Sequence, residues 1–395
     1  EVAGSPGSLV SASSIDGQLR ARIDRNDGSD VRVIQPLSDF AANAAKDVHL
    51  VYDSGDVLPD SGYVMAEPKL PPIAITPGQG GSAHSNSGNH NGHDHAGQGQ
   101  LGSGRGARAD ETCEIACDAD YQFFQKNGSN SQNTINDVES VLNDTEVIFQ
   151  RDTEICYNLT TVVVRTSSAS NPYTSNDPGT LLDQFRAEWL NNQGHIQRDV
   201  AQLFTGRSIN GSVIGIAWLG GICNSFGYSM VQSRYTSNWS RRVSLSTHEL
   251  GHNWNAGHCC GSCSGCSTCH IMCPCNGGCS GNVTKFGTST INSITNYKNS
   301  RNCLDNGCNG GGGGGPLTIS SPISGNAGMV NHIDITGGTA NGSCTIYFSP
   351  QSGITAVSGC TGLYLGMRNP RTAGPANLDA NGDGTFSKMV PSGAA

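Results

Sequence analysis

The sequence contains no long apolar run, so no helix written in it is suited to crossing a membrane. It is also poor in charge. Charged residues make up 14% and the net charge is −9, which excludes a general basic field for nucleic acid. No cysteine precedes Cys113, so the first part of the chain has no thiolate to offer a metal. The chain opens at Glu1 with neither Met nor an apolar leader, and it stops at Ala395 inside what reads as a domain. It is expected to be a piece of a larger precursor.

What the chain has in abundance is glycine, with 53 residues, and cysteine, with 16. Fourteen of the cysteines fall between Cys113 and Cys308, and eight of those crowd into 259–279. That density implies disulfides, an oxidising compartment and secretion. A thiolate zinc cluster is the competing reading, because Cys260, Cys263, Cys266 and Cys269 repeat at every third position. Cysteines elsewhere in the chain favour disulfides, and the sequence leaves their pairing open.

The stretch His248-Glu249-Leu250-Gly251-His252-Asn253-Trp254-Asn255-Ala256-Gly257-His258 carries the chemistry. Two histidines four apart on a helix share one face and can bind one ion. Glu249 can reach a water on that ion. His258 lies too far along a straight helix to join them, so the chain must turn near Asn255. Three protein ligands leave a fourth position open, which marks a catalytic zinc rather than a structural one.

The rest of the chain divides by composition. Residues 1–76 alternate apolar and polar in short runs, with a hairpin expected across Asp27-Gly28. Residues 77–110 form a Gly-, Ser- and His-rich linker with His84, His90, His93 and His95. The linker ends in Arg105-Gly106-Ala107-Arg108, a basic cleavage site that would release a chain starting at Ala109. Residues 111–308 read as strand, helix, strand, helix, strands, helix, an α/β sheet domain. Their expected strands include Glu114–Asp120, Thr160–Arg165 and Ser212–Leu219. The zinc helix is expected from near Val243, and Ser289 is expected to cap the last helix. Residues 309–316 are a poly-Gly hinge, and 317–395 read as a partial β-sandwich with a Cys344–Cys360 bridge. Asp379–Gly384 looks like half a calcium loop but reads as a tight turn, because Val390 stands where a bidentate Glu is needed.

The zinc run resembles the extended motif of the metzincin peptidases, and further landmarks resemble the adamalysin or reprolysin family. Asn255 stands where the family has Gly; Asn is the non-Gly residue best suited to a left-handed turn. Cys269-His270-Ile271-Met272 resembles the family's Met-turn with one inserted residue, which makes Met272 a packing floor beneath the zinc. Asp199–Gly206, Gly220–Cys223 and Cys303–Asn306 resemble other family stretches in the right order. The resemblance covers about 200 residues, roughly half the chain. It implies a twisted, mostly parallel sheet with an antiparallel edge strand, an active-site helix and a Met-turn. It also implies a Cys223–Cys303 disulfide and a calcium held by Glu114, Asp199, the Cys303 carbonyl and Asn306.

The implied reaction is peptide-bond hydrolysis. His248, His252 and His258 hold zinc, which lowers the pKa of a water toward roughly 7, and Glu249 is the general base. An extended protein or peptide substrate is expected to pair antiparallel with the edge strand around Ile214–Leu219. The C-terminal β module is expected to dock on an extracellular polymer or surface. Two other readings remain: an adhesive surface protein with a degenerate metzincin domain, and a latent zymogen in which residues 1–110 occupy the cleft. A thiolate switch from Cys113 is disfavoured, since that residue reads more simply as a disulfide partner.

Overall fold

Short alternating runs separated by turn residues form a four-stranded antiparallel meander early in the chain. Its strands are β1 (Leu9–Ile15), β2 (Gln18–Asp24), β3 (Arg32–Pro36) and β4 (His49–Asp53), in that spatial order. The β2–β3 connection carries Gly28 at φ 85°, a conformation that glycine adopts without steric cost. A fifth strand, β5 (Val64–Ala66), leaves the meander for another sheet. The structure, a computed structural model, describes residues 8–15, 18–58, 62–66, 111–261, 263, 270–276, 283–308, 318–319, 329–336, 343–348, 352–356, 364–367, 369, 371–379 and 383–389. The His-rich linker with its basic site, the poly-Gly hinge and the Cys360 half of the Cys344–Cys360 pairing lie outside them.

Two units divide the chain: Glu1–Ile155 with Leu159–Leu304, and Cys156–Asn158 with Asp305–Ala395. The meander and the central domain therefore belong to one unit. In that unit β6 (Glu111–Ala119), α1 (Tyr121–Lys126) and α2 (Ser131–Thr153) come first, then β7 (Ile155–Val164), α3 (Pro178–Asn191), β8 (Val200–Phe204), β9 (Val213–Ala217) and β10 (Tyr228–Val231). The helices α4 (Trp239–Asn253) and α5 (Thr288–Lys298) follow. The central sheet runs β6-β8-β10-β9-β5. β6, β8 and β10 are mutually parallel, β9 is antiparallel to β10, and β5 is parallel to β9.

Capping places the helices. Asp177 accepts from the Thr180 N–H at 2.8 Å and Pro178 takes the first helical position of α3. Its apolar stripe, Leu181, Leu182, Phe185 and Trp189, is buried against β8, β9 and β10 residues including Leu203, Ile216 and Met230. Asn238 caps α4 by accepting from the Arg241 N–H at 3.0 Å, so the helix starts at Trp239, earlier than the expected Val243. The last helix is not capped by Ser289. It starts at Thr288 after Gly287, whose lack of a side chain leaves the first turn without a side-chain cap.

Cysteine pairing departs from one expectation. Cys113 and Cys117 are buried and free on β6, so Cys113 is not a disulfide partner. That strand is buried along nearly its whole length, and burial pushes both thiols well above their usual range, which makes them inert packing groups. Disulfides join Cys223 to Cys303, Cys156 to Cys308 and Cys263 to Cys275.

The second unit, which also takes Cys156–Asn158 of β7, contains β11 (Asp305–Asn306), β12 (Thr318–Ile319), β13 (Val330–Thr336), β14 (Ser343–Phe348), β15 (Ser352–Ala356), β16 (Tyr364–Met367), β17 (Arg371–Asn377) and β18 (Gly384–Met389). β12, β13 and β18 form one antiparallel sheet; β14 pairs with β17 and β15 with β16. Ile335, Ile346, Ala376 and Leu378 form a small apolar cluster between strands. Between β17 and β18 the Asp383 N–H donates to Asp379 Oδ1 at 2.9 Å, the geometry of a side-chain-closed turn.

Candidate metal centre

Helix α4 is buried along almost its entire length and anchored at both ends. At its start, Arg242 donates two bonds to Asp137 of α2 at 2.9 and 2.8 Å, with both side chains buried. Burial alone would raise the Asp137 carboxyl, but Arg242 and Arg234 override it and hold the group down to about 2. At its end, Asn253 donates to the carbonyls of Trp218 and Tyr228 at 3.0 and 3.1 Å, tying the helix to β10 and the loop after β9. Neither anchor was read from the sequence, because buried charged and amide residues on a helix look like solvent-facing ones until the packing is known.

His248 and His252 lie one helical turn apart, with ring centroids 4.6 Å from each other. After the helix, Asn255 takes φ 66°, in the left-handed region, and its N–H bonds back to the His252 carbonyl at 2.8 Å. The Ala256 N–H reaches the Gly251 carbonyl at 3.0 Å, closing the helix end. This turn returns His258, whose ring centroid lies 5.1 Å from that of His248 and 4.9 Å from that of His252. One ligand atom from each imidazole falls within 4.8 Å of the others.

The outer nitrogens orient the rings. His248 Nδ1 lies 2.6 Å from the Ile271 carbonyl and His252 Nδ1 lies 2.7 Å from the Ala256 carbonyl. A carbonyl acceptor makes Nδ1 the protonated nitrogen, so Nε2 presents its lone pair on the other side. His248 and His258 face each other Nε2 to Nε2 at 3.1 Å. Burial first, then the neighbouring imidazoles, push His248 well below its usual range and His252 down to about 3. Both rings are therefore neutral near pH 7, as metal ligands must be. Three convergent imidazoles, two of them oriented by carbonyl acceptors on their far side, fit zinc, whose catalytic sites carry three protein ligands and one open position.

Glu249 is fully buried beside this cluster. A Cβ placed on Gly215 of β9 would collide with Glu249 Oε1, so the carboxylate rests directly on the backbone of that strand. Gly215 was not singled out from the sequence. An isolated Gly inside the apolar run Val213–Ala217 was the available signal, since such a residue marks close approach of another group. Met272 is fully buried, and its Sδ lies 2.7 Å from where a Cβ of Gly251 would stand, against the back of α4. The inserted residue before it, His270, absorbs the extra length at φ 49° and accepts from the Cys273 N–H at 3.1 Å.

The second expected ligand group is arranged differently. The Asp199 N–H donates to the Glu114 carbonyl at 2.8 Å and the Glu114 N–H donates to Asp199 Oδ2 at 2.9 Å. Glu114 Oε1 accepts from Gln197 Nε2 at 2.8 Å. The Asp199 carboxylate lies within 4.8 Å of the Cys223 and Cys303 sulfurs, which are committed to each other in a disulfide. Glu114, Asp199 and Cys303 are thus neighbours, while the Asn306 side chain lies outside the described residues.

A helix bearing two metal-type ligands and a carboxylate, with a third ligand returned by the turn that follows it, beside a strand of a mixed sheet and above a buried Met, defines a metallopeptidase type of site. A sequence profile of metallo-peptidase family M12, reprolysin type, matches residues 109–306, half of the chain, and the chain belongs to that family. Mouse disintegrin and metalloproteinase domain-containing protein 19 is 31% identical over 153 residues, covering 37% of this chain and 16% of that protein. The hemorrhagic metalloproteinase-disintegrin-like kaouthiagin of Naja kaouthia is 42% identical over 62 residues, 16% of this chain and 15% of its own length. The snake venom metalloproteinase atroxlysin-1 of Bothrops atrox is 36% identical over 89 residues, 21% of this chain and 42% of its own. The chain therefore spans less than half the length of each of these relatives.

Proposed function

We propose that this chain is a secreted zinc-dependent endopeptidase that hydrolyses peptide bonds of extended protein substrates. The observation that carries the reading is the convergence of His248, His252 and His258 within 4.8 Å beside the buried Glu249. The three histidines hold the zinc, which when bound supplies Lewis-acid polarisation and makes water acidic enough to lose a proton near neutral pH. Glu249 takes the proton of the attacking water and passes it to the leaving amine. Its burial against Gly215 keeps the carboxylate on the side of the substrate strand. The substrate adds antiparallel to β9, where main-chain hydrogen bonds supply affinity without reading side chains. Met272 packs the floor beneath the histidines. Asn255 at φ 66° makes the turn normally given to Gly, which supports the active reading over a degenerate domain at this position.

Two finer elements complete the reading. Calcium is held at Glu114, Asp199, the Cys303 carbonyl and Asn306, and cleavage after Arg108 separates residues 1–108 from the central domain. Casein hydrolysis by the chain after limited proteolysis, with zinc content measured on the same sample, tests the central claim. Hydrolysis should be abolished by a zinc chelator and restored by added zinc. Hydrolysis that survives zinc removal, or a zinc-loaded chain that cuts nothing, would overturn it.

A further inference from the structure

Where the meander meets α1 and α2, the first unit holds a cavity of about 290 Å³. Gln18 and Arg20 of β2 and Asp39 line one side of it. Lys126 of α1, Asn136 of α2 and Arg234 line the other. None of these residues belongs to the histidine cluster or to the Glu114–Asp199 group, and the proposed hydrolysis uses none of them. The volume is several times that of a water molecule, roughly 30 Å³ in the liquid, so a small solute has room there.

The carboxylates around the cavity are already used. Asp39 Oδ1 accepts from Arg20 Nη2 at 2.7 Å, and its Oδ2 accepts from Gln35 Nε2 at 3.1 Å. Asp137 accepts from Arg234 Nε at 2.9 Å and from Arg242 Nη2 on both oxygens. Asp120, which also acts on Lys126, is buried and accepts from the Phe123 and Gly206 N–H groups and from the Thr205 hydroxyl. Each of these oxygens has a protein donor, so the carboxylates have little left to offer another cation.

Cationic donors remain. Arg234 Nη1 donates to the Lys126 carbonyl at 3.0 Å, which brings its guanidinium against that residue. Arg234 Nη2 and the Lys126 ammonium have no acceptor among the described residues. Arg20 Nε is buried and has none either. Arg20, Lys126, Arg234 and Arg242 together stand against Asp39 and Asp137, so positive charge is in excess. The crowding is felt by the groups themselves. Partial burial lowers the Lys126 ammonium, Asp120 opposes this, and Arg234 lowers it further. Burial lowers Arg242 as well, with Asp137 opposing and Arg234 adding to the fall. Water can solvate these donors but cannot neutralise them. An oxyanion does both, and Arg and Lys are the side chains that best receive one. Asn136 accepts from Gln132 through its Oδ1 at 2.8 Å, which leaves its Nδ2 as a neutral donor on the same wall.

We propose that this cavity binds a tetrahedral oxyanion, a phosphate or sulfate group, through Lys126, Arg234 and the Asn136 amide. The proposal does not depend on the endopeptidase reading. Its test uses the full chain at constant ionic strength set with chloride, and reads thermal melting and calorimetric binding. Inorganic phosphate or inorganic sulfate should bind saturably and raise the melting temperature. Lys126 is exposed, so Lys126→Gln should fold like wild type and weaken binding about tenfold, the loss of one charge-assisted contact. Lys46→Gln removes the same charge from an exposed site that does not line the cavity, and should bind like wild type. A sulfated monosaccharide, as a further probe, separates the two sources of the group. If it binds as tightly as sulfate and loses affinity in Lys126→Gln, the cavity takes the group as part of a larger molecule. If it is excluded while sulfate binds, the ligand is the free ion. A melting shift that does not saturate, or that is equal in wild type and Lys126→Gln, is a general salt effect and overturns the site. Absence of calorimetric binding of both ions at millimolar concentration overturns it as well.

Discussion

The two ligand groups of the central unit use hydrogen bonds in opposite ways. At the histidine cluster the protein bonds the far side of His248 and His252, through the Ile271 and Ala256 carbonyls, and turns the near side toward a common point. At Glu114 and Asp199 the protein bonds the carboxylate oxygens themselves, through Gln197 Nε2 and the Glu114 N–H. The first arrangement prepares ligands for an ion. The second lets the same side chains hold the fold together, so a cation there must share them with protein donors. Ligand type was legible at both places; only the position of the hydrogen bonds separates them. Zinc should therefore matter greatly and calcium modestly.

The sharpest break would come at Glu249. Glu249→Gln keeps shape and burial but removes the base, and should lower kcat by about 10²–10⁴-fold while zinc content stays at wild type. A variant that retains near-full activity with zinc bound would remove Glu249 from the mechanism.

Next in size is the frame behind the cluster. Asp137→Asn leaves the buried Arg242 guanidinium without its counter-charge and should cost about 3–5 kcal/mol of stability. The pH dependence follows from the sign. The Asp137 carboxyl is depressed from 3.8 to about 2 in the fold, so its stabilisation is present above 3.8 and is lost as pH falls toward 2. The melting difference between wild type and variant should be full at pH 5–7 and shrink between pH 4 and 2. A difference independent of pH would mean that packing, not charge, fixes α4.

What could be read without a structure follows one physical rule. His248, Glu249, His252, Asn255 and His258 are contiguous, and helix periodicity plus one turn residue is enough to bring them together. The family expected from them is the family the chain matches. Asp177-Pro178 with the stripe from Leu181 to Trp189 was readable for the same reason, since caps and periodicity are local. The strands β8 and β10 were missed because they are buried on both faces, and Val200–Phe204 shows no alternation. The Asp137–Arg242 pair, the Gly215–Glu249 contact and the pairing of Met65 with Gly215 join residues far apart in sequence. No local pattern encodes them.

A smaller effect is expected at Asn255. Its φ of 66° suits Asn and Gly, and Val there should cost about 1–2 kcal/mol. Asn255→Gly should leave zinc affinity near wild type, whereas Asn255→Val should weaken it, because His258 reaches the cluster only through this turn. Equal zinc titrations for the two variants would show that Cys259 and the residues beyond it, not the turn, position His258.

The smallest effect separates the two groups most directly. If calcium occupies the Glu114–Asp199 group in competition with Gln197 and the Glu114 N–H, its binding should add only about 1 kcal/mol at millimolar concentration. Thermal melting of the zinc-loaded chain, with and without calcium, reads this as a small upward shift. Glu114→Gln keeps a hydrogen-bond acceptor for Gln197 but removes the charge, so it should abolish the calcium shift and leave the calcium-free melt nearly unchanged. A calcium shift as large as the zinc shift would mean that the carboxylates turn away from their protein donors to take the ion. No calcium shift in either chain would leave Glu114 and Asp199 as a structural clasp between β6 and the start of β8.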